Sequence, residues 1–93
     1  MNLIFHLYIA GQTMHNQLAI VNLHKLNKLY CNNEAEIKII DLFEAPEDAM
    51  LERIIATPTL VKVTPPPKQQ LIGDLTDLER AVVSLGLGNG SDK

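Results

Sequence analysis

The sequence predicts an α/β domain with elements in the order β-α-β-α-β-β-α. Three observations lead there. Residues 3–10 form a run rich in apolar and aromatic side chains that stops at Gly11. Residues 14–30 contain no Gly or Pro and carry apolar side chains at helical spacing. A second strand-like run at 36–42 follows directly, so the three together make a βαβ unit, whose strands are expected to be parallel neighbours.

The first run, Leu3-Ile4-Phe5-His6-Leu7-Tyr8-Ile9-Ala10, is apolar on both faces and reads as a central strand. His6 interrupts one face, which predicts that this face is not sealed throughout. After the turn at Gly11-Gln12-Thr13, Thr13 is placed to cap a helix. Ala19, Leu23, Leu26 and Tyr30 then form its core-facing stripe, widened by Leu18, Val21 and Leu29. Gln17, His24, Asn27 and Lys28 are expected on the opposite side. Residues 31–34 are a polar connector to the second strand. Pro46, with Glu47 and Asp48 in its first turn, opens a short helix near whose end Arg53 lies.

Pro58 stands just before a third strand, where its missing N–H does least harm. Pro65, Pro66 and Pro67 cannot join a ladder or a helix and form a stiff connector. Residues 68–72 make a short strand ending at Gly73 and Asp74. Thr76 and Glu79 have capping-box spacing for a last helix that runs through Leu85 and stops at Gly86. The expected division is one domain over residues 1–87 and a tail over 88–93, with no internal repeat.

Composition bounds the function. Ninety-three residues hold a single core, 46% hydrophobic and without Trp, built from Leu, Ile, Val and Ala. Eight Lys and Arg against eleven Asp and Glu give a net charge of −3, without the basic excess of a nucleic-acid binder. A single cysteine makes neither an internal disulfide nor a Cys-rich zinc site. No apolar run is long enough to span a membrane, and residues 1–5 lack the basic region of a signal peptide, so a cytoplasmic location is expected.

The element order, with Thr57-Pro58 ahead of the third strand, is the layout of thioredoxin-like domains. Redox members of that group need Cys-x-x-Cys at the start of the first helix, where the helix end stabilises a thiolate. Here that place holds Thr13-Met14-His15-Asn16, and the one thiol, Cys31, lies at the far end, as a semi-buried structural residue. His6, His15 and His24 have no ligand spacing and no Cys or acid to complete a metal set, so neither metal nor cofactor is expected. Asp41 and Asp74 read as turn and helix-entry residues rather than an acid/base pair.

The chain resembles the KaiB family of bacterial circadian clock proteins. The segments that carry the resemblance are Leu7-Tyr8-Ile9-Ala10-Gly11, Ile40-Asp41, Ile55-Ala56-Thr57-Pro58-Thr59-Leu60, Lys62-Val63, Pro65-Pro66-Pro67 and Ile72-Gly73-Asp74-Leu75. The resemblance implies a non-enzymatic regulator that binds the first ATPase ring of KaiC, sequesters KaiA and displaces a thioredoxin-like sensor kinase. It also implies a second half that alternates between the thioredoxin-like arrangement and a different, oligomeric ground state, two packings separated by a few kcal/mol. Pro58, Pro65, Pro66, Pro67, Gly73, Asp74, Ser84 and Gly86 fall in that half, and slow prolyl isomerisation would set its exchange rate. Lys38, Arg53 and Lys62 match positions that are usually basic and contact partners; the alternative is that they are ordinary solvated charges.

Four departures stand out. Leu18 replaces a common Arg, Glu36-Ile37-Lys38 replaces Ala-Leu-Lys, Lys68-Gln69-Gln70 replaces Val-Arg-Arg, and Ser84-Leu85-Gly86 replaces Gly-Leu-Asp. Loss of Arg weakens docking by charge, and Glu36 puts KaiA binding in doubt. Ser84 removes a helix-weakening glycine and favours the thioredoxin-like form, while Gly86 pulls the other way. The departures leave open an alternative: a stress-adaptation adaptor with a partner other than KaiC, in a host without a true clock.

Overall fold

The computed structural model describes residues 2–87, so the expected tail at 88–93 lies outside the described residues. Strands β1 (Ile4–Ile9), β2 (Glu36–Asp41), β3 (Thr59–Thr64) and β4 (Gln69–Ile72) alternate with helices α1 (Met14–Tyr30), α2 (Glu47–Glu52) and α3 (Leu78–Ser84) in the expected order. The sheet order is β2-β1-β3-β4, with β1 and β2 parallel and the β1–β3 and β3–β4 pairs antiparallel. β1 is central, as its two apolar faces require.

Strand alternation divides its side chains between two layers. Phe5, Leu7 and Ile9 join Leu60, Ala19, Leu23 and Leu26 of α1, and Ala81, Val82 and Leu85 of α3, in the main core. Tyr8 faces the other way and forms a smaller cluster with Ile40 and Val61, covered by Leu42, Ala45, Ile54 and Val63. None of α2's own residues is buried. His6 is half-buried on this thinner side, the unsealed face expected for it.

The expected Thr13 cap forms, its hydroxyl accepting from the Asn16 N–H at 3.2 Å. Two expectations for α1 fail. Tyr30 was placed in the core stripe but is 44% exposed. A helix of 17 residues spans about 25 Å, whereas the six-residue strands beneath it reach only about 20 Å, so the last turn overshoots the sheet. Asn27, expected outward, is buried, and so are Asn16 and Asn22. Each of the three fastens a loop. Asn16 Nδ2 donates to the Ala10 and Gly11 carbonyls, and Asn22 Nδ2 to the Asp74 carbonyl. Asn27 grips Ala35 twice, donating to its carbonyl at 3.2 Å and accepting from its N–H at 3.0 Å.

The cap of α3 also differs from expectation. Asp77, not Thr76, accepts from the Arg80 N–H. The Thr76 hydroxyl donates instead to the Asp74 carboxylate, which also takes the Thr76 N–H. α3 closes in a Schellman turn: the Leu87 N–H reaches the Val82 carbonyl, the Gly86 N–H reaches Val83, and Gly86 takes the left-handed φ of 70° that the turn demands.

Candidate interaction surface

The thinner side of the sheet carries the smaller core cluster and is covered by no buried helix residue. Register sets its side chains in two rows. Lys38, His6, Val61 and Gln70 lie side by side across the four strands, and Ile40, Tyr8, Thr59 and Ile72 form the next row. The second row is the more apolar, and its Ile40 and Tyr8 form the small core together with Val61 of the first. The first is polar at both ends, with Lys38 exposed on the edge strand β2.

α2 is tied to the opposite edge. Gln70 Nε2 donates to the Glu52 carbonyl at 2.7 Å, and Lys68 Nζ lies 2.8 Å from Glu52 Oε1. Around α2 the surface is apolar and open: Phe43, Met50, Leu51 and Ile55 are each more than three-quarters exposed. Asp41 knits the adjoining loops, its Oδ1 accepting from the N–H groups of Phe43 and Gly11. That is the turn role expected of it. The Phe43 ring lies against Gly11, where an added Cβ would stand 2.8 Å from Cε2.

Two ionisable rings here are shifted toward their neutral forms. Burial lowers the pKa of His6, and the Lys38 ammonium adds to the effect. Burial, then the charges of Glu52 and Asp48, push the Tyr8 phenol up to about 12. The two rings meet edge to face, with centroids 6.3 Å apart. Away from this face, Cys31 is half-buried at the end of α1, and burial raises its thiol pKa. A protonated thiol is a poor nucleophile. The surface supplies shape, apolar area and a few fixed charges, which suits binding another macromolecule.

The three basic residues singled out from the sequence do not converge. Lys38 sits on the β2 edge. Arg53 is exposed just past Glu52, toward the β4 edge, and closes α2 in the left-handed conformation at φ 57°. Lys62 is 4% exposed, so it is no ordinary solvated charge. Its ammonium donates to the carbonyls of Pro65 and Pro67, pinning the proline connector between β3 and β4. Alternation puts Lys62 on the same side as Leu60, a sign of burial available from the sequence.

The turn residues have definite places. Pro58 is buried ahead of β3, and Pro58, Pro65 and Pro67 each follow a cis peptide bond. Gly73 has φ 124°. Asp74 meets α1 twice, through Asn22 at its carbonyl and through His15 Nδ1, 3.2 Å from its carboxylate. Hydrogen bonds from Thr76 and the His15 contact lower the pKa of that carboxyl group. Ser84 is the exposed last residue of α3.

A family model described as the KaiB domain matches residues 6–87. The chain belongs to the KaiB family. Its relatives include the circadian clock oscillator protein KaiB of Prochlorococcus marinus (strain MIT 9211), 39% identical over 90% of this chain and 74% of the relative. The circadian clock protein KaiB3 of Synechocystis sp. is 35% identical over 91% and 83%. Among solved structures, the N-terminal domain of Synechococcus elongatus SasA superposes with a TM-score of 0.67 at 22% identity, over 97% of this chain and 89% of that one. Mitochondrial thioredoxin 3 of Saccharomyces cerevisiae gives 0.71 at 22% identity, over 90% and 79%. This KaiB-family chain therefore has the thioredoxin-like fold, and a single cysteine where a redox thioredoxin needs two. Among the described residues no helix is long and apolar enough to cross a membrane.

Proposed function

We propose that this protein is a non-catalytic regulator of circadian timing that works in the cytoplasm by binding a KaiC-type ATPase in its thioredoxin-like arrangement. The observation that carries the reading is the KaiB-domain match across residues 6–87. The partner would dock on the open side of the sheet, with Lys38 and Arg53 as its fixed positive charges and Phe43, Met50, Leu51 and Ile55 as its apolar contacts. Lys62 acts indirectly, by holding the proline connector. The fold shared with the SasA N-terminal domain supports competition with a sensor kinase for the same site on the ATPase. Glu36, exposed on the edge strand, argues against KaiA as a further partner.

The test is a fluorescence-anisotropy titration with the KaiC-type ATPase of the same organism, incubated for hours. A complex that weakens when Lys38→Glu and Arg53→Glu are combined supports the reading. No complex after prolonged incubation overturns it.

A further inference from the structure

The sheet ends in two edge strands, β2 and β4, and they differ. β2 carries Glu36, Lys38 and Asp41, and charge along an edge discourages another strand from adding to it. β4, which reads Gln69-Gln70-Leu71-Ile72, has neither a charged residue nor a proline. The Gly73 N–H reaches the Pro58 carbonyl at 2.9 Å, which sets the phase of the β3–β4 ladder. Gln69 and Leu71 therefore spend their backbone groups on β3, while Gln70 and Ile72 turn theirs outward. Among the described residues no strand or other backbone group takes them up.

A groove of about 330 Å³ borders this edge, between the end of β4 and the first turns of α3. Leu71, Leu75 and Ala81 supply its apolar walls, and Asp74, Asp77 and Arg80 its charges. Two carboxylates against one guanidinium leave it negative. The Thr76 hydroxyl and N–H both bond to the Asp74 carboxylate, which keeps that group ionised at neutral pH. Side-chain alternation links the groove to the edge. Leu71 packs against the main core, on the helix side of the sheet. A residue standing opposite Leu71 on an added strand points to the same side, where the groove lies.

We infer that the β4 edge takes an extended peptide segment of another protein, which pairs with Gln70 and Ile72 and places a Lys or Arg side chain in the groove. The pairing is antiparallel, the more stable arrangement. The aliphatic stem of the basic residue lies along Leu71, Leu75 and Ala81, and its charge reaches Asp74 and Asp77. Backbone bonds give such a contact its affinity, and the side-chain pocket gives it selectivity. The groove is on the helix side, not on the surface assigned above to the ATPase, so the two readings can fail separately.

The probe is the end-blocked peptide Thr-Val-Lys-Val-Thr, titrated into the isotope-labelled full chain and followed by backbone amide shifts. Its lysine stands opposite Leu71 and its valines opposite Ile72 and Gln70. The Gln70 and Ile72 amide signals should move downfield, as new hydrogen bonds require, and their hydrogen exchange should slow. Methylating the two valine nitrogens removes the donors that face β4 and should abolish the response. Glu in place of Lys should weaken binding by roughly fivefold, the upper range for an exposed ion pair. Asp77→Asn keeps a residue that caps α3 and removes one charge, so it should weaken the Lys peptide by roughly two- to fivefold. Arg80→Gln should tighten it by a similar factor. No response at Gln70 and Ile72 with millimolar peptide overturns the inference. So does a response centred on β2 or on residues 43–55, binding that survives valine methylation, or equal binding of the Lys and Glu peptides.

Discussion

Replacing Asn27 by Ala should destabilise the fold by roughly 2 kcal/mol. The Asn27 side chain accepts from the Ala35 N–H at 3.0 Å and donates to the Ala35 carbonyl at 3.2 Å, in a position only 8% exposed. Truncation deletes both bonds and leaves two backbone groups without partners where water enters poorly. Each such hydrogen bond contributes about 1 kcal/mol net, and a stranded buried group costs about 1–3 kcal/mol. Helix propensity works against this, because Ala is better than Asn by about half a kcal/mol. The balance is a loss of about 2 kcal/mol, or a Tm lower by roughly 8–16 °C for a domain of this size. Urea unfolding followed by far-UV circular dichroism reads it directly: the midpoint should fall with the slope unchanged. Asn27→Asp should be no better, since it keeps the acceptor but sets a carboxylate against the Ala35 carbonyl. A variant within about 0.5 kcal/mol of wild type would refute the clamp, placing the change among ordinary surface substitutions.

Arg53→Gly should stabilise the chain by about 1 kcal/mol in the same assay, because a left-handed φ of 57° costs an L-residue about that much and glycine little; no gain would mean that the arginine side chain offsets its own strain. Gly11→Ala should cost about 1 kcal/mol through its φ of 78°, and Phe43→Ala in the same chain should recover little, since the exposed ring can swing away from the new methyl; full recovery would make the ring the cause. In a spectrophotometric titration the Tyr8 phenolate should appear only near pH 12, and Tyr8→Phe should remove that step. The unfolded phenol ionises near 10 and the folded one later, so Tyr8's contribution to stability is full below pH 10 and lost as pH rises to about 12. Asp74 has the opposite sign: its folded pKa is lowered, so its contribution holds above the unfolded value of 3.8 and fades as pH falls through the folded one. Asp74→Asn should flatten that acid limb, and an unchanged limb would refute the role.

Where local pattern decides the outcome, the sequence was legible. β1 announced itself by an apolar run ending at glycine, α1 by its Thr13 cap and inner stripe, and the parallel pairing of β1 with β2 by the helix between them. Local pattern named Thr76 as the cap of α3 where the structure has its neighbour Asp77, because the Thr76 hydroxyl is captured by Asp74, a contact outside the capping motif. It placed Asn27 outward because asparagine is polar, and the reason for burying it, the backbone of Ala35, becomes visible only once the chain has turned back. Three asparagines in one helix were nonetheless a signal, since Asn is a poor helix former that tends to bond nearby backbone. The candidate surface was legible at Lys38 and Arg53 as residues, but not as a surface. It depends on which side of the sheet so short a helix as α2 leaves uncovered.

The three asparagines of α1 also make that helix a gauge of fixed length. Asn16, Asn22 and Asn27 bind three separate loops, and each reaches its target only from its own angle on one rigid rod. Every added or deleted residue turns the rest of an α-helix by about 100° and slides it by about 1.5 Å. An insertion between Asn16 and Asn27 would therefore free at least one loop even if the apolar stripe found a new register. Substitutions along the outer side are cheap, and changes of length are not. Natural variation in chain length should collect outside α1, and any engineered linker or tag belongs there too.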